Sequence, residues 1–394
     1  MNQNSAGQFQ FYKKIHREAI PGLILLAVAV LTMILANSSF SQLYFSLIQI
    51  PIGSLSLQLW VNDGLMVLFF FMVGMEIKKE MISGELSTLK KASLPLAGAI
   101  GGMLLPALIY YSLNPAAPAV AGWGIPMATD IAFALGALSL LGNRIPKSLT
   151  LFLMALAVID DLGAILVIAF FYTAKLNLLA LGLAAIGLAA IVGLQKLKVK
   201  SYIAYVFVGL GVWTAFLISG VHATIAGVLI GLFTPLKFPD AQRSEGSFSP
   251  LNELVGFLHP ICQFFIMPVF AFFNSGVALG NIQFQELINH PVNQGVGLGL
   301  MIGKPVGITF VCLIFVSAGL SVLPKGVRWP QLIGVGILAG IGFTMSLFIS
   351  SLALPPDLEI FSKTGILLGS SVAAIVGYLY LRFLPNKSDS NSTI

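Results

Sequence analysis

Twelve stretches of this 394-residue chain are apolar over roughly the length needed to cross a bilayer. They centre near residues 28, 72, 104, 133, 161, 186, 210, 228, 266, 305, 341 and 373. A run of ~20 apolar residues can span the hydrocarbon as an α-helix. A helix satisfies every backbone N–H and C=O within its own segment, which the bilayer interior demands. The chain is 57% hydrophobic and 9% charged, whereas a soluble domain carries about 25% charged residues. The expected fold class is an all-α polytopic membrane protein with twelve transmembrane helices.

The basic residues set the expected orientation. With the N-terminus inside, the cytoplasmic segments hold Lys13, Lys14, Arg17, Lys78, Lys79, Lys90, Lys91, Arg144 and Lys147. They also hold Lys196, Lys198, Lys200, Lys237, Arg243, Lys325, Arg328, Arg382 and Lys387. Of the 21 Lys and Arg, only Lys175 and Lys363 fall outside, and Lys304 falls within a span. This is the positive-inside pattern, and it places both termini in the cytoplasm. The net charge of +6 is thus a topology signal. No basic patch interleaved with aromatics points to nucleic acid. The first apolar segment follows basic residues, but it is long and lacks an A-x-A cleavage site. It reads as a first span and not as a cleaved signal. Cys262 and Cys312 lie in apolar runs and imply no disulfide framework.

The run from Ser148 to Ala174 carries two charges, the adjacent acids Asp160 and Asp161. Both fall near its middle. A central Asp is unfavourable by ~2.5–3.5 kcal/mol on insertion scales, so the pair opposes insertion by roughly 5–7 kcal/mol. Ion paths and proton relays are the usual reasons to keep such groups. Neighbouring helical residues point about 100° apart. One acid can therefore meet a cation such as Lys304 while the other lines a watered pocket. Protons leave coupled acids in steps that belong to the pair. A hard cation also prefers oxygen ligands, so protons and Na+ compete for the same atoms.

Segment four contains Gly124-Ile125-Pro126-Met127-Ala128-Thr129-Asp130, and segment eleven contains Gly340-Ile341-Gly342-Phe343-Thr344-Met345-Ser346. Each has Gly-Ile, a helix breaker and then a Thr. They lie in blocks 94–173 and 292–383, which run in opposite senses through the membrane. Paired interrupted spans mark an inverted-repeat transporter, although Gly-Ile pairs also arise by chance in a Gly-rich chain. Asp130 and Lys304 are the other ionisable groups within the spans. Either they neutralise half-helix dipoles or they join Thr129 and freed carbonyls in binding the ion.

Residues 46–60, SLIQIPIGSLSLQLW, alternate at Ile48, Ile50 and Ile52 and again at Leu55, Leu57 and Leu59. With Gly53-Ser54 between, they predict an external β-hairpin. It either pairs with a second copy or lies on the lipid interface. Glu76, Lys78, Lys79 and Glu80 cluster at the inner end of segment two. Glu253 and His259 do so at segment nine, and His222 opens segment eight. Such clusters are solvated anchors or pH-responsive groups.

The chain resembles the NhaA family of sodium/proton antiporters. The resemblance rests on Ala128-Thr129-Asp130-Ile131-Ala132-Phe133-Ala134, Ile159-Asp160-Asp161-Leu162-Gly163, Ser219-Gly220-Val221-His222-Ala223-Thr224, Gly303-Lys304-Pro305 and Val73-Gly74-Met75-Glu76. It implies two assemblies, with broken spans four and eleven crossing at the midplane. Residues 94–175 and 291–394 would form the core assembly. Residues 1–93 and 176–290 would form the interface assembly, with a homodimer made through the hairpin near 46–60. It implies export of Na+ or Li+ for a larger number of protons. Asp161 would be the principal carboxylate, Asp160 its partner, either a second carrier or the residue gated by Lys304, and Thr129, Asp130 and Lys304 supporting positions. Glu76, Glu80 and His222 would serve the pH response. No enzyme activity or cofactor is implied. The location would be a bacterial inner membrane.

One departure concerns segment nine. Asn252, Val255 and Gly256 stand where relatives often carry Lys, Glu and His, so altered pH regulation is expected. Two other readings use the same residues. A Na+-coupled symporter of an organic anion would need an intramembrane cation, and Lys304 is the only one. An intramembrane aspartyl protease would pair Asp130 with a later Asp, but the Gly-x-Gly-Asp signature of such enzymes is missing.

Overall fold

The computed structural model describes residues 3–173, 176–197, 199, 202–235, 249–280 and 283–385. Lys175, Lys198, Lys200, Lys237, Arg243, Lys387 and most of the polar loop 237–250 lie outside them. Helix α1 covers Gln3–Ala36 and α2 covers Ser41–Ile48. Strands β1 (Pro51–Ile52) and β2 (Leu55–Ser56) lead to α3 (Leu57–Trp60), a π-helical turn at Val61–Leu65, and α4 (Met66–Ser83). Next come α5 (Leu89–Leu113), a 3₁₀ helix at Ala119–Met127, α6 (Ile131–Ser139) and α7 (Lys147–Phe171). Then follow α8 (Leu178–Lys196), α9 (Tyr202–Ser219) and α10 (Thr224–Phe233). Helix α11 (Pro250–Ile261) passes through a π turn at Cys262–Ile266 into α12 (Met267–Asn274). After the short α13 (Phe284–Asn289), α14 (Pro291–Leu298) passes through a third π turn, Gly299–Gly303, into α15 (Lys304–Ser317). The chain ends in α16 (Trp329–Ala339), α17 (Phe343–Ala353) and α18 (Pro356–Phe383).

Among the described residues, nine helical stretches are long and apolar enough to cross a membrane. A tenth is the pair α16–α17, bent by 45° at its break. Helices α9 and α10 are shorter apolar helices. Every apolar centre read from the sequence falls within one of these elements, residue 341 in the break itself. Large apolar side chains such as Phe170, Leu179 and Phe310 stay exposed, as lipid-facing positions should. Starts follow ordinary capping. The Asn177 side chain accepts from Leu179 N–H at 3.1 Å and opens α8, one of the N–H groups a helix start leaves free.

Two elements differ from the sequence reading. The hairpin pairs only Pro51 with Ser56 and Ile52 with Leu55. Ser56 accepts from Leu59 N–H at 3.3 Å and starts a helix at Leu57, so the alternation at Leu57 and Leu59 is not a strand. Gly53 takes φ +66° in the turn, a conformation cheap only for glycine. The first half of segment four is 3₁₀ and not α. Pro126 has no N–H to give to a carbonyl four residues back. The extended break falls at Ala128–Asp130, just beyond Pro126.

The chain divides into two compact units. The first comprises residues 1–41, 85–164 and 274–394. In it α5 packs tightly against α15 at two glycines. A methyl on Gly101 would sit 2.0 Å from the Gly307 carbonyl oxygen, and one on Gly307 would sit 2.1 Å from that of Gly101. The second unit comprises residues 42–84 and 165–273. There the hydroxyl of Tyr44 donates to Phe272 O at 2.8 Å and the amide of Gln58 to Phe273 O at 3.1 Å. These bonds tie α2 and α3 to the end of α12.

Candidate functional site

The two interrupted spans of the first unit are hydrogen-bonded to each other at their breaks. Asp130 N–H donates to Ile341 O at 2.7 Å. The Thr129 hydroxyl lies 3.0 Å from Ala339 O, and the Ser346 hydroxyl donates to Ile125 O at 2.8 Å. Each break therefore satisfies backbone groups that the other leaves open, where the bilayer would not.

Asp130 sits where two half-helices begin. Its Oδ1 accepts from Phe133 N–H at 3.0 Å and so caps α6. Its Oδ2 accepts the N–H of Thr344 at 3.2 Å and the Thr344 hydroxyl at 2.5 Å, within the first turn of α17. A carboxylate next to two N-termini offsets the partial positive charge of both. Both oxygens accept from helix starts, and the bonds shown go to Phe133 and Thr344 and not to a second acid. Thr344 has no role in the sequence reading. It stood in the segment-eleven motif as the Thr after the breaker, and that was its only signal.

Lys304 opens α15 and is fully buried. Its ammonium donates to Asp160 Oδ2 at 2.8 Å and to the Thr129 hydroxyl oxygen. That hydroxyl also lies 2.8 Å from Asp160 Oδ2. Thr129, Asp160 and Lys304 thus form one closed cluster drawn from three spans. Lys304 is engaged by a carboxylate and is not a free contact for an organic anion. Asp160 Oδ1 is buried and has no hydrogen-bond partner among the described residues. Asp161, one position on, is 1% exposed and lies within electrostatic reach of Lys304. The pair is therefore unequal. One acid is bound to the lysine through one oxygen, and the other faces a different direction from the same helix.

The pH-response candidates lie in the second unit. Glu76 and Glu80 are on α4, and Lys79 is within electrostatic reach of both Glu76 and His259. His259 Nε2 is 3.2 Å from Gln263 Nε2 on the next turn. Asn252 and Gly256 are exposed on α11, and Val255 is buried. His222 precedes α10, with Nε2 2.9 Å from Tyr172 O.

The family model described as Na+/H+ antiporter 1 matches residues 12–381. The chain is 46% identical over 389 residues to the Na(+)/H(+) antiporter NhaA of Haemophilus ducreyi, covering 95% of this chain and 97% of that protein. It is 47% identical over 386 residues to the NhaA of Shewanella baltica, with the same coverage. It is 48% identical over 368 residues to Na(+)/H(+) antiporter NhaA 2 of Pseudomonas syringae pv. tomato, covering 93% of each chain.

Proposed function

The chain belongs to the Na+/H+ antiporter 1 family, and from that premise we propose the route by which it trades Na+ for protons. It is a multi-pass membrane transporter and not an enzyme. The exchange site is the Asp160–Asp161 pair. Asp161 is the principal ligand of Na+ or Li+. Asp160 alternates between Lys304 and the ion, and Thr129 supplies a hydroxyl oxygen to either. The observation that carries this reading is the Asp160 carboxylate, bonded to Lys304 through Oδ2 while Oδ1 is buried without a partner. An incoming cation finds a free carboxylate oxygen beside a second acid. As it binds, protons held by Asp161 and by the Asp160–Lys304 pair are displaced.

Competition for the same oxygens couples the two fluxes only if the site opens to one side at a time. Asp130 keeps the two half-helix starts together through that change. Asp161 and the Asp160–Lys304 pair together release more than one proton for each monovalent ion, so transport is electrogenic and exports Na+ or Li+ on the proton gradient. No cofactor takes part.

Nine long helices and one bent pair among the described residues, with two shorter apolar helices, support a reading of twelve spans. Inverted repeats lie at 94–173 and 292–383, and their broken spans four and eleven cross at the midplane. Residues 94–175 and 291–394 act as the core assembly, and residues 1–93 and 176–290 as the interface assembly. Both termini face the cytoplasm of a bacterial inner membrane. The exposed Ile50 and Ile52 of the hairpin support a homodimer made there. Glu76, Glu80 and His222 set a pH response that is weakened at Asn252, Val255 and Gly256.

The test uses reconstituted vesicles with a pH gradient, added Na+ and an internal pH dye. Na+-dependent proton flux is expected in the wild type and absent in Asp161→Asn, with charge movement accompanying it. Flux that survives both Asp161→Asn and Asp160→Asn would defeat the site.

A further inference from the structure

The span that carries Lys304 is irregular immediately before it. In the π turn Gly299–Gly303, the N–H of Lys304 reaches back five residues to Gly299 O. In an unbroken α-helix that N–H would serve Leu300 O. The next donor in the five-residue series would be the N–H of residue 305. Residue 305 is Pro305, which has none. Leu300 O therefore loses both the donor of the α series and the donor of the π series. No hydrogen bond from outside its own helix reaches it among the described residues, and Leu300 is fully buried. Buried carbonyls are nearly always paired, so an orphan invites a ligand.

Its direction is informative. A methyl built on Gly340 would lie 2.4 Å from the Leu300 oxygen. Gly340 is the first residue of the break between α16 and α17. The residue before it, Ala339, takes part in the contact with the Thr129 hydroxyl. That hydroxyl touches both Asp160 and Lys304. The orphan oxygen thus faces the same break as the exchange site. Main-chain carbonyls released at helix irregularities are established Na+ ligands in transporters.

We propose that the Leu300 main-chain carbonyl is a further oxygen ligand for the transported Na+ or Li+, kept free by the π turn and by Pro305. This rests on the reading of Asp160 and Asp161 as the exchange site. It gives the Gly303-Lys304-Pro305 motif a division of labour. Lys304 holds Asp160, and Pro305 withholds the N–H that would cover a neighbouring oxygen. Gly303 lets the bulged helix press on α5, since a methyl there would sit 2.9 Å from the Pro106 Cα.

The experiment has two arms on the full-length protein in vesicles. In the first, 13C-carbonyl leucine and 15N-methionine label the Leu300–Met301 peptide. It is one of three Leu-Met bonds in the chain, with Leu65–Met66 and Leu153–Met154. Solid-state NMR follows the Leu300 carbonyl during Na+ titration. The expected result is a shift that saturates with the transport KM. A carbonyl that does not respond to saturating Na+ overturns the proposal. In the second arm, Pro305→Ala restores a donor for Leu300 O. The KM for Na+ should rise about tenfold, with the maximal rate falling less than that. An unchanged KM, in a variant whose Leu300 carbonyl spectrum reports a new hydrogen bond, also overturns it. Asp161→Asn separates the two readings. Loss of flux there, with a Leu300 carbonyl silent to Na+ in the wild type, defeats this proposal alone, and flux retained both there and in Asp160→Asn defeats the exchange site.

Discussion

Lys304 Nζ lies 2.8 Å from Asp160 Oδ2, and neither side chain reaches solvent. Removing one member of a buried ion pair leaves the other charge without compensation, which typically costs about 3–5 kcal/mol. Replacing both is often nearly neutral. Asp160→Asn should therefore lower stability by about 3–5 kcal/mol. Asp161→Asn should lower it less, and Asp160→Asn combined with Lys304→Gln should recover most of the loss. Thermal unfolding of the four purified proteins in one detergent reads this order. Equal losses for Asp160→Asn and Asp161→Asn would contradict the unequal pair.

Thr344 provides two of the donors on Asp130, one from its backbone and one from its hydroxyl. A hydrogen bond to a charged group contributes about 1.5–3 kcal/mol. Thr344→Val keeps the shape and the backbone N–H but removes the hydroxyl. The expected loss is in that range, together with a reduced transport rate. Thr344→Ser retains the donor and should behave nearly as the wild type. Unfolding midpoints and initial flux rates of the two variants, compared side by side, decide it. A Val variant indistinguishable from the Ser variant would remove Thr344 from the account.

How much of this was legible in the sequence depends on the range of the interaction. The long apolar helices are legible because apolar length is a local property. The acids at 160 and 161 and the cation at 304 stood out because a charge in an apolar run is visible without any partner. The breaks near Pro126 and Gly340 were marked by helix-breaking residues. What sequence could not supply was pairing across the fold. Nothing local to Thr344 says that its hydroxyl goes to Asp130, 214 residues away. The hairpin was overextended for a different reason. The alternation at Leu55, Leu57 and Leu59 fits a strand, but Ser56 caps a helix there. The π turn before Lys304 was equally hidden. Pro305 stands in the sequence as part of a motif, while its effect falls on the carbonyl of Leu300, five residues earlier.

The contact of α5 with α15 should be sensitive to one methyl group. Gly307 is three residues beyond Lys304, and its Cβ position is 2.1 Å from the Gly101 carbonyl oxygen. The backbone of α15 must shift to admit an alanine, and overpacking of this kind typically destabilises by about 1–3 kcal/mol. Because Lys304 rides on the same turn, Gly307→Ala should also raise the KM for Na+ severalfold. Gly193→Ala is a fitting control, since nothing lies within 4 Å of a methyl there. Na+ titrations of proton flux in both variants test this. A Gly307→Ala protein with wild-type stability and KM would show that the close approach has no bearing on the site.

His290 makes stability near the start of α14 depend on pH. Its Nδ1 accepts from Val292 N–H at 3.2 Å, and its ring stacks on Phe361 at a centroid distance of 3.7 Å. Burial pushes its pKa below the usual histidine value, while the nearby Glu286 pulls the other way. The neutral ring is thus favoured in the folded protein, as the cap requires, because a protonated Nδ1 cannot accept. The resulting stability is fully present above the unfolded pKa of about 6.5. It is lost as pH falls through the lower folded value. The unfolding midpoint should therefore fall between pH 7.5 and pH 5, and this fall should be smaller in His290→Asn. Asparagine keeps a capping acceptor without a titrating ring, although loss of the stack should lower the midpoint at both pH values. Parallel pH dependence in wild type and variant would rule out His290 as the source.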